Sequence, residues 1–265
     1  MPTAAPPRKS NAIWWILGGL AAVLIIGVGV VVMIIALASL GANTNNGNLN
    51  ANVRNDNRNS NATVNANATN SNANANTTTP SSLVDDFSDK KWGTGTSQFG
   101  RIWYDGGEYH MTSKEKFFVV MYAPSDDYNT EKATVRVTAR SVDGSVPASG
   151  FGLMVHCAQS KAKQLEDYAL LIYPGDEPEY EIIMHKNGVQ SSLVQRTKSS
   201  AIRSGSAPNQ LEIRTTATDL FFYANGQYLT RVNDSGNYRR GRAGLYTSDV
   251  HEVAFDNLQI ERSNP

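Results

Sequence analysis

The stretch Ala133-Thr134-Val135-Arg136-Val137-Thr138-Ala139-Arg140 decides the fold of this chain. In an extended backbone Ala133, Val135, Val137 and Ala139 point one way, and Thr134, Arg136, Thr138 and Arg140 point the other. This alternation is the period of a half-buried antiparallel strand, with apolar side chains on a core and polar ones in water. Working outward, similar short runs are expected to form strands at 101–104, 108–112, 117–122, 151–157, 168–173, 180–185 and 191–196. More follow at 210–215, 219–224, 227–232, 242–247 and 252–260. The turns between them are chemically explicit. Asn225-Gly226 lies between Phe221-Phe222-Tyr223 and Tyr228-Leu229, a type I′ hairpin signal, and Asp105-Gly106-Gly107 and Asn187-Gly188 mark two more. Only 161–167 reads as helix, over about two turns. So many short strands in one segment predict an all-β, two-sheet antiparallel sandwich.

That segment, 81–265, can bury roughly 70% of its unfolded surface, enough for one core. The rest of the chain is different in kind. Ala12 to Leu40 is an uncharged apolar run of 29 residues. As a helix it is roughly 43 Å long, more than the roughly 20 residues a bilayer needs. It is about twice the length of a signal-peptide apolar region, so it reads as an uncleaved transmembrane helix. Arg8 and Lys9 precede it, and no charge follows until Arg54. The positive-inside rule then makes 1–11 the cytoplasmic N-terminus and places the rest outside the cell membrane. Residues 41–80 are Asn-rich, with 16 asparagines between 43 and 80 and no Phe, Trp or Tyr. Such a segment cannot bury enough apolar surface to order itself and is expected to be a disordered linker. Over the whole chain 24 Lys+Arg balance 24 Asp+Glu, which argues against nucleic acid as a partner. One cysteine, Cys157, excludes an intramolecular disulfide framework.

The 81–265 segment opens with Leu83-Val84-Asp85-Asp86-Phe87-Ser88 and soon Trp92, then Tyr104-Asp105-Gly106-Gly107-Glu108-Tyr109. Later come Ala207-Pro208-Asn209-Gln210-Leu211-Glu212-Ile213 and Phe222-Tyr223-Ala224-Asn225-Gly226-Gln227. It closes with Gly241-Arg242-Ala243-Gly244-Leu245-Tyr246 and Val253-Ala254-Phe255-Asp256-Asn257-Leu258. In this order the motifs resemble the concanavalin A-like lectin/glucanase jelly roll in its laminin-G-like form. The resemblance covers nearly all of 81–265. It implies a β-sandwich that is a sugar binder, a glycosidase or a module of neither kind, so function has to be argued from the site.

Retaining glucanases on this fold carry carboxylates along one strand, in a Glu-x-Asp-x-Glu type pattern. Glu177-Pro178-Glu179-Tyr180-Glu181 approaches it, which makes Glu177 and Glu181 the candidate catalytic pair. Glu stands where the pattern has Asp, and Pro178 disfavours a central strand, so the segment reads as an acidic turn and strand edge. The Asn-Ser-Gly motif of 3-keto-disaccharide hydrolases is met only in part, by Ser149-Gly150-Phe151-Gly152. His110, His156, His185 and His251 lie on separate strands without metal-ligand spacing. By alternation Phe151, Leu153, Val155 and Cys157 share a core face, opposite His156. No cofactor is expected beyond a structural calcium. If the first and last strands lie side by side, they bring Asp85 and Asp86 near Asp256 and Asn257, an oxygen set that suits that ion.

For a ligand, the 225–226 hairpin is the better candidate. Tyr223 should face Tyr228 across the pair with Phe221 on the same side, while Leu220, Phe222, Ala224 and Leu229 form the core side. Exposed rings stack on sugars, so Phe221, Tyr223 and Tyr228 form the expected carbohydrate platform. Trp92 and Trp103 are expected in the core or at its rim. The sequence thus reads as a membrane-anchored extracytoplasmic recognition module, non-catalytic and glycan-binding. The alternatives are a glycoside hydrolase-like enzyme and a structural envelope protein that binds a protein partner.

Overall fold

A computed structural model describes residues 81–263. The expected N-terminal tail (1–11), membrane helix (12–40) and linker (41–80) lie outside the described residues. Among the described residues no helix is long and apolar enough to cross a membrane.

In chain order the strands are β1 (Ser82–Asp85), β2 (Gly95–Thr96), β3 (Gly100–Asp105), β4 (Glu108–Ser113), β5 (Phe118–Tyr122), β6 (Ala133–Ser141), β7 (Phe151–Gln159) and β8 (Leu165–Tyr173). They continue with β9 (Glu179–Lys186), β10 (Val189–Lys198), β11 (Asn209–Thr215), β12 (Asp219–Ala224), β13 (Gln227–Asn233), β14 (Arg242–Ser248) and β15 (Val253–Arg262). A 3₁₀ turn, Asp126–Tyr128, is the only helical element among the described residues. Every strand expected from alternation is present. β1 was expected only as a first strand carrying Asp85, and β2 not at all, because four and two residues are too few to show a period. The expected helix at 161–167 does not form. Ser160 Oγ accepts the N–H groups of Ala162 and Gln164, which closes a tight turn, and β8 starts at Leu165.

The strands form two antiparallel sheets. The nine-stranded sheet runs β13-β12-β11-β6-β15-β4-β3-β2, with β1 also paired to β15. The six-stranded sheet runs β10-β9-β8-β7-β14-β5. This is an all-β two-sheet sandwich, and it fits a jelly roll. The first and last strands do lie side by side, with Asp85 opposite Leu258. β6 alternates as read, with Ala133, Val135, Val137 and Ala139 buried. They join Leu211, Ile213, Phe222 and Phe255, and these pack against Phe151, Leu153, Val155, Leu170 and Leu245 of the other sheet. This inter-sheet layer is the main core.

A second apolar cluster covers the outer face of the six-stranded sheet: Val120, Met154, Cys157, Leu165, Ala169, Leu171, Tyr173, Ile183 and Tyr246. Its cover includes Phe118 and Tyr122, which belong to the edge strand β5. Tyr122 donates its hydroxyl to Asp167 on β8 at 3.3 Å, and the Phe118 ring lies 5.7 Å from that of His185 on β9. β5 and β9 are four inter-strand spacings apart, about 19 Å on a flat sheet. The sheet is therefore strongly curled, and its edge closes over its own concave face.

The expected face of Cys157 is corrected here. His156 has φ +55° and the β7–β8 register shifts between Val155 and Ala158. A bulge of this kind reverses the alternation beyond it. Phe151, Leu153 and Val155 stay in the inter-sheet core, whereas Cys157 joins Met154 on the concave face. Gly241 permits the bulge, because a Cβ there would stand 2.2 Å from the His156 carbonyl carbon.

Candidate functional site

The β12–β13 hairpin brings Phe221, Tyr223 and Tyr228 to one face, as its alternation predicts. Asn225 (φ +50°) and Gly226 (φ +78°) make the turn, a conformation that favours these two residue types. The Asn225 side chain also clamps the turn to its neighbours. Its Oδ1 accepts the Gln210 N–H at 3.0 Å, and its Nδ2 donates to Ala201 O and Asn209 Oδ1, both at 2.8 Å. Tyr223 stands directly opposite Tyr228, with ring centroids 5.6 Å apart in an edge-to-face pair. Leu220, Phe222 and Ala224 are buried in the core, and Leu229 packs on it half-buried. Phe221 and Tyr223 are half-buried on the opposite side, and Tyr228 is 58% exposed.

Arg214 adds what the sequence did not show. Its guanidinium lies over the Tyr223 ring at 4.2 Å, and its Nε donates to Glu212 at 2.6 Å. Glu212 also accepts from Arg136 at 2.5 Å, and Arg136 reaches Glu261 at 3.0 Å. A charged ladder thus crosses β11, β6 and β15 and ends at the aromatic pair. A second aromatic site lies toward the far side of the same sheet. Trp103 stacks on His110 at 5.4 Å and carries Arg101 over its ring at 4.4 Å.

The two candidate glutamates have different settings. Glu177 lies in the exposed bend before β9 and accepts from Lys198 Nζ at 2.6 Å. Glu181 lies within β9 and accepts the Tyr173 hydroxyl at 2.7 Å, with Arg196 over the Tyr173 ring at 3.8 Å. Burial and then the Glu181 carboxylate push the Tyr173 hydroxyl up, so it stays a donor.

The expected calcium ligands divide. Successive strand residues point to opposite faces. Asp85 turns inward, where its carboxylate accepts from Phe87 N at 2.9 Å, Trp92 Nε1 at 2.9 Å and the Tyr128 hydroxyl at 2.5 Å. Asp85 is a core acceptor with its oxygens already engaged. Asp86 is exposed and accepts from Ser88 N. Asp256 binds Asn257 N and Nδ2, both at 2.7 Å. Burial pushes the Asp256 carboxyl up, and the charges of Glu108 and Asp86 act the same way. Among the described residues no three His, Cys, Asp or Glu gather so as to hold a metal ion.

Sequence reading missed a buried pair on the concave face. His185 Nδ1 meets Asp167 Oδ1 at 2.7 Å, and both side chains are fully buried. They sit opposite each other on β9 and β8, and only strand register brings them together. Cys157 is on the same face, and complete burial pushes its thiol well up, so it is no nucleophile. His156 lies apart from this pair. It bonds Thr130 Oγ1 at 3.1 Å, and burial pushes it down to about 4.

No family model matches the chain, and no curated protein matches it in sequence. Solved structures resemble it in fold. A carbohydrate-binding module from Bacillus subtilis, CBM66, superposes with a TM-score of 0.50 at 14% identity, over 64% of this chain and 94% of that one. An endo-β-galactosidase from Clostridium perfringens that releases GlcNAcα1-4Gal gives 0.47 at 14% identity, over 67% of this chain and 61% of that one. A protein with a galectin-like fold from Bacillus subtilis gives 0.44 at 11% identity, over 68% and 94%. At these identities the likeness is one of fold, and the first superposition carries it.

Proposed function

We propose that this chain is a glycan-recognition module, held at the outer face of a cell membrane by the apolar segment 12–40 and spaced from it by 41–80. The observation that carries the reading is the platform of Phe221, Tyr223 and Tyr228. A sugar ring has an apolar face for Tyr228, which projects from a clamped hairpin. Its hydroxyls have the Arg214 guanidinium nearby as a donor. Most of the platform's order is built in before binding, which lowers the entropy a ligand must overcome. The fold likeness to a carbohydrate-binding module supports the same reading. The uncharged run from Ala12 to Leu40, with Arg8 and Lys9 before it, supports the anchor and its orientation.

The test is binding of the full chain to a panel of immobilised glycans, in a detergent without a sugar headgroup. At least one glycan class should be retained, and Tyr228→Ala should weaken that binding. Retention unaffected by both Tyr228→Ala and Tyr223→Ala would show that the platform is not the site. Release of reducing sugar from a bound glycan would replace the binding reading with an enzymatic one.

A further inference from the structure

We propose that the glycan this chain recognises is acidic, and that Arg101, stacked on Trp103, receives its oxyanion, a carboxylate or a sulfate. The inference rests on the glycan reading above and names the kind of glycan. The site is on the outer face of the nine-stranded sheet, the face that also carries the hairpin platform.

Trp103 forms its base. It stands opposite His110 across β3 and β4, and the two rings stack at 5.4 Å and 27°. His110 is buried and held at both ring nitrogens, by Glu252 Oε1 at 2.7 Å and by the Asp105 carbonyl at 3.2 Å. A held ring thus fixes the indole. Arg101 is two residues back on β3, so its side chain is on the same face. Its guanidinium lies over the indole at 4.4 Å. Stacking on an aromatic ring keeps the charge and holds the planar fork of N–H donors in one orientation.

Arg101 differs from its neighbours in having no acceptor. On this face Arg136 and Arg214 donate to Glu212, and Arg140 donates to Glu108. Arg101 is exposed, and among the described residues no carboxylate or carbonyl accepts from it. Glu252, the nearest strand-end carboxylate, is taken by His110. Thr96 stands opposite Arg101 on the edge strand β2 and is exposed. Neither its hydroxyl nor the Trp103 indole N–H has an acceptor among the described residues. A guanidinium, an indole N–H and a hydroxyl are therefore left together, and an ionised carboxylate or sulfate only accepts. The fork matches such a group with two parallel bonds.

The rest of the face suits an acidic polymer. Trp103 on β3 and Tyr223 on β12 are five inter-strand spacings apart, about 24 Å on a flat sheet. Between them Glu108, Glu212 and Glu261 are each bonded to an arginine, which lowers their repulsion of a polyanion. Asp256 is engaged by Asn257. One polymer that touches both ends gains from the second contact as an intramolecular event, so an exposed ion pair that is weak alone becomes effective.

The test uses the full chain in an uncharged detergent without a sugar headgroup, at one ionic strength, because salt screens exposed charges. Titration calorimetry compares polygalacturonate with its full methyl ester, and dextran sulfate with dextran. The first pair reads a carboxylate and the second a sulfate. At least one acidic polymer should bind more tightly than its neutral form, and it should move the Trp103 indole N–H resonance. Arg101→Gln, at an exposed position, should lower that affinity about ten-fold, the loss of one charge-assisted pair. It should leave the neutral polymer unchanged. Lys186→Gln removes the same charge from an exposed position on the other sheet and should change nothing. The proposal is overturned if neither acidic polymer is preferred, if the preference survives Arg101→Gln, if Lys186→Gln loses as much, or if the indole resonance stays in place. Tyr228→Ala separates this site from the platform, because it should weaken acidic and neutral polymers alike. An acid preference that depends on Arg101 in a chain indifferent to Tyr228→Ala would remove the platform and keep this site. Binding that depends on Tyr228 without any acid preference would remove this site and keep the platform.

Discussion

Trp92 gives its indole N–H to Asp85 Oδ2 across 2.9 Å, and the same oxygen takes the Tyr128 hydroxyl at 2.5 Å. One carboxylate therefore pins the segment after β1 to an aromatic cluster in which Trp92 meets Phe87, Tyr109 and Tyr128 at 5.5–5.8 Å. Asp85→Ala leaves buried donors unpaired, each worth about 1–3 kcal/mol. Equilibrium urea unfolding should show a loss of about 3 kcal/mol or more. Asp85→Asn, which keeps one acceptor oxygen, should lose less. A loss below about 1 kcal/mol in the alanine variant would mean that these bonds do not hold the loop.

The two faces of the β12–β13 hairpin should respond differently to truncation. Phe222 is fully buried, so Phe222→Ala should lose about 3–5 kcal/mol. Tyr228 is 58% exposed, so Tyr228→Ala should change stability by about 0.5 kcal/mol while weakening glycan retention. Thermal melts of both variants decide the matter. The opposite ranking would reverse the assignment of the faces.

His156 should make the fold acid-sensitive. Burial pushes it from an ordinary 6.5 down to about 4. Between those values the unfolded chain takes up a proton that the folded chain refuses. Its contribution is complete above about pH 6.5 and is lost as the pH falls toward about 4, by about 3 kcal/mol. His156→Asn, a residue that tolerates the left-handed backbone there, should flatten that part of the stability profile. An unchanged slope in the variant would assign it to other groups.

The charge asymmetry around 12–40 predicts topology. Protease added outside intact cells should remove the 81–265 domain and leave a membrane stub. Moving Arg8 and Lys9 to just after Leu40 should weaken or invert the orientation. A domain that stays protected in the unmutated chain would place it on the inner side.

Deleting 43–80 should leave the melting temperature of the β-domain unchanged, since that composition offers too little apolar surface to pack. A clear drop in the midpoint would mean that the linker packs on the domain after all.

By itself the sequence determined most of the strands, their turns and most of their faces. Local periodicity and turn chemistry are short-range properties: Val135 and Val137 declare a buried face, and Asn225-Gly226 declares its turn. The facing of Tyr223 and Tyr228 was legible for the same reason, because their pairing follows from a two-residue turn. Only the tertiary structure decided what depends on register between distant strands and on curvature. Asp167 meets His185 because β8 and β9 pair in one register, and Phe118 reaches His185 because the sheet curls across four spacings. The bulge at His156 sent Cys157 to the concave face, and one left-handed residue leaves no mark on an alternating pattern. Asp85 and Asp86 look alike in the chain, yet the pleat turned one into the core and left the other in water. Long-range pairing and packing set these outcomes, and neither is encoded in the spacing of neighbouring residues.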